Sequence, residues 1–151
     1  MTSDGIRGPE GMRRILVGID GSPSSLDALR WAVHLAGLNG ATVTVLTTWE
    51  WPGSYGWAPP VPSEYDPERD ATTMVEESLA PVRDKHPDVE IRTEVVEGHP
   101  APSLVRASED ADLLVVGSRG HGEFTGMLIG SVSEHCVANA HCPVLVMRGH
   151  D

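Results

Sequence analysis

Cysteine is scarce in this chain of 151 residues, which holds only Cys136 and Cys142. Two thiols do not make a disulfide framework, so the fold must rest on a hydrophobic core. Basic residues are the second deficit: 11 Lys and Arg face 22 Asp and Glu, a formal net charge of −11. No clustered Lys/Arg run offsets this, and so acidic a chain repels a nucleic-acid backbone. No run of 18 or more apolar residues is present, which leaves no candidate membrane span. The first eleven residues lack the apolar stretch of a secretion signal, and residues 1–12 are expected to be a disordered tail. A cytoplasmic location is the resulting expectation. Two nucleotide motifs are missing as well. Without Gly-x4-Gly-Lys-Ser/Thr no lysine grips a γ-phosphate, and without Gly-x-Gly-x-x-Gly after the first strand a dinucleotide enzyme is disfavoured.

What is present alternates. With 40% hydrophobic residues, the chain has the length and content for one domain with a real core. Residues 13–19 and 112–116 are short and continuously apolar, which suits strands buried on both faces of a parallel sheet. Residues 41–49 are rich in Val and Thr, as strands are. Residues 89–95 alternate apolar and charged, which predicts a strand with one wet face, and residues 143–147 form a fifth strand. Between them, apolar residues recur at helical spacing: Leu26, Leu29, Val33 and Ala36; then Ala71, Val75, Leu79 and Val82; then Val132, Cys136, Val137 and Ala140. Asn39-Gly40 ends the first of these helices. Pro81 should kink or shorten the second, and Pro102 sits near the start of a short helix within residues 98–110. Residues 50–66, crowded with Pro, Gly, Trp and Tyr, read either as a surface cover or as a mobile lid.

Such alternation predicts an α/β fold: a five-stranded parallel sheet, doubly wound, in a Rossmann-like three-layer arrangement with strand order 3-2-1-4-5. Winding then reverses between the first and fourth strands, where open α/β sheets bind ligands beyond the strands' carboxyl ends. Asp20 follows the first strand. A glycine-rich stretch, residues 117–131, follows the fourth and opens a helix, which is the layout of a phosphate cradle. Ser131-x-x-Glu134 also fits a helix-capping box, and Asp20 has the alternative of capping the first helix. His135, Cys136, His141 and Cys142 lie close in sequence, but helical geometry need not converge them, and no metal site is expected.

The spacing Gly117-x2-Gly120-x9-Gly130-Ser131 resembles that of the universal stress protein family in its nucleotide-binding branch. Val17-Gly-Ile-Asp-Gly-Ser22, Leu113-Leu-Val-Val-Gly-Ser-Arg-Gly120, Gly130-Ser-Val-Ser133 and Cys142-Pro-Val-Leu-Val146 extend the likeness, so that residues 13–148 read as one domain of this kind. The resemblance implies an ATP or AMP ligand, with magnesium as a companion ion. By position, Asp20 would meet the nucleoside with Gly18 beside it, and Thr48 would lie near the adenine. Gly117, Gly120, Gly130, Ser131 and Val132 would take ribose and phosphates, and Arg119 and His121 could lend charge. A stress-response regulator with little or no turnover, read by a regulatory partner, is the first functional expectation. A slow ATPase or nucleotidyl-transferring enzyme and a nucleotide-free interaction module are the alternatives. The apolar fifth strand, Val144–Met147, is a pairing template at a sheet edge, which predicts a homodimer. The alternative is that helices and the last residues cover it.

Overall fold

The computed structural model describes residues 11–51, 62–119 and 129–148. Five strands alternate with four helices: β1 Arg14–Gly18, α1 Pro23–Asn39, β2 Thr42–Trp49, α2 Pro67–Lys85, β3 Ile91–Glu97, α3 Pro100–Ala107, β4 Leu113–Gly117, α4 Ser131–Asn139 and β5 Val144–Met147. A 3-10 turn, Ser108–Asp110, follows α3. All pairings are parallel, in the order β3-β2-β1-β4-β5. The predicted fold class and strand order are therefore those observed.

The sheet divides the core in two. Ile15 and Val17 of β1 and Val43 and Val45 of β2 point to the α1–α2 face, where they pack with Ala28, Leu29, Val33, Val75 and Leu79. Met12, partly buried, packs on this cluster too. Leu16 and Leu46 point the other way and pack with Leu104 of α3, Leu114, Val116 and Cys136 of α4. Period-two alternation within continuously apolar strands thus feeds both faces at once, the signature of a covered parallel sheet.

Helix ends follow local chemistry. α1 stops where Gly40 adopts φ 72°, its N–H donating to the Ala36 carbonyl. α2 starts where Asp66 caps the Arg69 N–H at 3.0 Å. Three expectations shift. α2 is not shortened by Pro81 and runs on to Lys85. The bond that this proline cannot make would go to the carbonyl of Glu77, an exposed residue that water can reach. α3 begins at Pro100, not at Pro102, because Gly98 turns the chain with φ 139° and His99 serves as N-cap. β3 starts two residues later than its alternation suggested, and Arg92, Thr93 and Glu94 are all exposed. At an edge paired only with β2, it is wet on more than one face.

Candidate functional site

At the carboxyl edge of the sheet, between β1 and β4, the chain builds a crevice. Its walls include six residues singled out by the sequence: Gly18, Asp20, Thr48, Gly117, Arg119 and Val132. Gly130 and Ser131 stand beside it and do not line it, and Gly120 and His121 lie outside the described residues. Sequence reasoning missed Ile19, Ser25, Leu46 and Thr47, and also Pro100, Leu104, Val116 and Ser133, which complete the lining. Most of these are apolar or small residues at strand ends and helix starts, where no motif marks them. Ser25 and Ser133 carried the only readable signal, a polar residue in the first turn of a predicted helix.

Serines tie the base of the crevice together. The turn after β1 places Gly21 at φ 85°, and the Asp20 carboxylate accepts the Ser22 N–H at 2.9 Å. Ser25 Oγ donates to the Ser22 carbonyl at 2.9 Å and accepts the Asp20 N–H at 3.3 Å. Ser22 is the N-cap of α1, so Asp20 shapes the turn without capping the helix itself. On the other side, Ser24 Oγ donates to the Arg119 carbonyl at 2.5 Å and accepts the Arg119 N–H at 3.3 Å.

The glycine-rich segment is closed at its root. The Ser118 N–H donates to the Met147 carbonyl at 2.7 Å, and the Gly130 N–H returns to the Ser118 carbonyl at 2.5 Å. Ser133 Oγ donates to the Gly117 carbonyl. The N-cap of α4 is Gly130, and Ser131 is its first helical residue. The capping-box expectation is therefore corrected: the helix starts one residue earlier than that motif requires.

Glycine at positions 18 and 117 is set by close packing. A Cβ on Gly117 would lie 2.7 Å from the Ser24 carbonyl carbon and the Ser25 nitrogen. One on Gly18 would lie 2.7 Å from a methyl of Leu104. The start of α1 can therefore approach the sheet only where a side chain is missing, whereas at Gly18 the space is taken by the end of the Leu104 side chain.

Three helices begin at this crevice: Ser25 lies in the first turn of α1, Pro100 opens α3, and Val132 and Ser133 belong to the first turn of α4. Each helix start carries unpaired N–H groups and a partial positive charge, which favours an anion. α1 and α3 have no acidic residue in the first turn, whereas α4 has Glu134. Among the described lining residues Asp20 is the one carboxylate, with Arg119 opposite in sign. The crevice measures about 110 Å³, below the roughly 300–1,000 Å³ of drug-sized pockets. Among the described residues no group of three or more His, Cys, Asp or Glu is placed to hold a metal ion. Cys136 is fully buried and Cys142 half-buried, both as free thiols. Burial, reinforced by the neighbouring Cys142, pushes the Cys136 thiol up to about 11. Burial and then Asp112 raise Cys142 as well.

A doubly wound α/β protein with a crevice at its switch point is the class that fold and site define. Within it, the chain belongs to the universal stress protein family, whose model matches residues 11–148. It is 38% identical over 135 residues to a universal stress protein of Mycolicibacterium smegmatis, covering 89% of this chain and 45% of that protein. It is 39% identical over 140 residues to one from Mycobacterium tuberculosis, covering 89% and 44%. The chain thus spans about half the length of these curated relatives. Among solved structures, a universal stress protein in complex with cAMP is 26% identical, with a TM-score of 0.69 over 92% of this chain and 98% of that one. A universal stress protein from Archaeoglobus fulgidus shares the fold at 21% identity, with a TM-score of 0.68 over 89% and 93%. No described helix is long and apolar enough to cross a membrane.

Proposed function

We propose that the crevice binds an adenine nucleotide, ATP or AMP, and that the protein acts as a stress-response regulator with little or no turnover. The observation that carries this reading is the convergence of three helix N-termini on a crevice whose described lining holds one carboxylate, in a chain of net charge −11. An anion is favoured there although the molecule as a whole repels anions. The cAMP complex of the 26%-identical neighbour supports an adenine ligand.

In this reading Thr48 and Gly18 flank the base, and Asp20 accepts from the nucleoside. Gly117 keeps the floor low. Arg119, Gly120, Gly130, Ser131 and Val132 take ribose and phosphates through backbone N–H groups, the Ser131 hydroxyl and the guanidinium. Magnesium would be held mainly by the phosphates themselves. Hydrolysis requires a positioned base; Asp20, the one carboxylate among the described lining residues, is in this reading committed to the nucleoside. The homodimer through β5 belongs to the same reading, with a regulatory partner sensing the occupied state.

The test is to denature the purified protein, identify any nucleotide released, and measure ATP turnover on the same sample. Bound adenine nucleotide with negligible turnover is the expected result. Robust turnover would convert the reading to an enzyme, and a protein that is empty and ignores added ATP would overturn it. Gly130→Glu and Asp20→Ala should each weaken binding while the circular dichroism spectrum is retained.

A further inference from the structure

On the face opposite α1 and α2 the described residues do not fully cover the sheet. α3 has eight residues, about 12 Å of helix at 1.5 Å per residue. The eight-residue strand β2 beneath it spans about 26 Å at 3.3 Å per residue. The shortfall leaves a groove of about 510 Å³ under α3 and over β1, β2 and β3. Its floor includes Leu16, Leu46 and Val96, and its walls carry Arg14, Arg92 and Arg106. Leu46 separates it from the crevice described above, whose lining it also joins.

Charge in this groove runs against that of the chain. Acidic residues outnumber basic ones two to one overall, 22 to 11, yet among the described residues three arginines line this groove with two carboxylates, Glu94 and Asp110. The arginines come from three elements, β1, β3 and the last turn of α3, so no single helix face or strand alternation accounts for their meeting. Arg14 reaches the Asp110 carbonyl at 3.5 Å, and Arg92 pairs with Glu90 at 2.8 Å outside the groove. No hydrogen bond or ion pair engages the Arg106 guanidinium among the described residues.

We propose that this groove is a second ligand site, for a small organic anion with an apolar body and a single anionic head. The space is within the range of small-molecule pockets, about 300–1,000 Å³. The apolar floor takes the body, and Arg92 and Arg106 take a carboxylate or similar head by charge-assisted hydrogen bonds. Glu94 and Asp110 select against polyanions, which distinguishes the site from a di- or triphosphate cradle. It stands independently of the nucleotide reading.

Titration with phenylacetate, followed by two-dimensional NMR, tests the assignment. The Nη–H resonances of Arg92, the Nε–H resonance of Arg106 and the methyl resonances of Leu46 and Val96 should move together and saturate. Phenylacetamide, the neutral isostere, should bind about tenfold more weakly or worse, and Arg92→Ala/Arg106→Ala should weaken phenylacetate by a similar factor, as loss of a charged hydrogen bond implies. Both arginines are exposed, so the double variant should melt as the parent does. Equal binding of acid and amide, full retention in the double variant, absence of saturation, or shifts confined to the Gly18 and Gly117 amides would each overturn the proposal.

Discussion

Four glycines show how one residue type answers to different physics. Gly117→Ala places a methyl 2.7 Å from backbone atoms of Ser24 and Ser25, which cannot yield as a side-chain end can. A loss of about 1–3 kcal/mol is expected in chemical denaturation, as for an overpacked core. Gly18→Ala meets only the flexible end of Leu104, so stability should change little while Leu104 is displaced within the crevice. Gly37 lies inside α1 with its nearest neighbour at 3.7 Å, and Gly37→Ala should stabilise by about 0.5–1 kcal/mol. Gly40, at φ 72°, should lose about 1 kcal/mol on replacement by Ala, whose Cβ disfavours that conformation. The sequence pointed to glycine at 18, 40 and 117. Only for Gly40, at the predicted helix end, was the local reason readable. The reason at 18 and 117 is a neighbour far away in sequence. Cys136 carries a pH dependence of its own. Its thiol is held up to about 11 from an ordinary 9.0. The unfolded chain therefore ionises first, and the contribution is complete below pH 9 and lost as pH rises toward 11. Urea midpoints measured across that window should fall more steeply in the parent than in Cys136→Ala.

At the scale of elements, caps and periodicity were legible because they are local. Asp66 is the clearest case: its side chain holds the Arg69 N–H, and Asp66→Ala should cost about 0.5–2 kcal/mol, read as a lower thermal midpoint. The spacing of Val75, Leu79 and Val82 identified α2, and all three are buried. Boundaries were less legible where two signals compete. Ser131-x-x-Glu134 has the spacing of a capping box, yet the helix starts from Gly130, whose N–H is already committed to Ser118. Pro100 and Pro102 both offer a first-turn proline, and Gly98 decides between them by turning the chain two residues ahead of Pro100. The Trp- and Pro-rich segment, read as cover or lid, lies largely outside the described residues, as do Gly120, His121 and the first ten positions.

At the scale of the molecule the two edges of the sheet differ. β3 exposes Arg92, Thr93 and Glu94, charges that discourage further strand pairing. β5 is Val-Leu-Val-Met, half-buried along its whole length and paired only with β4. Light scattering at micromolar concentration is expected to give twice the chain mass, and a clean monomer would remove the β5 interface. By itself, the sequence determined the alternation of strands and helices, the doubly wound sheet and the two segments, around Asp20 and Gly117, that meet at its switch point. Those features depend on residues within a turn or two of one another, and on a winding rule that few chains break. Only the tertiary structure decided which residues face the crevice. Leu104 and Pro100 arrive there because a short α3 crosses β1 and β2, and Thr47 because β2 pairs alongside β1. The same shortness opens the arginine-walled groove beside it. A helix's length against the strand it covers is a distance in space, and sequence spacing does not contain it.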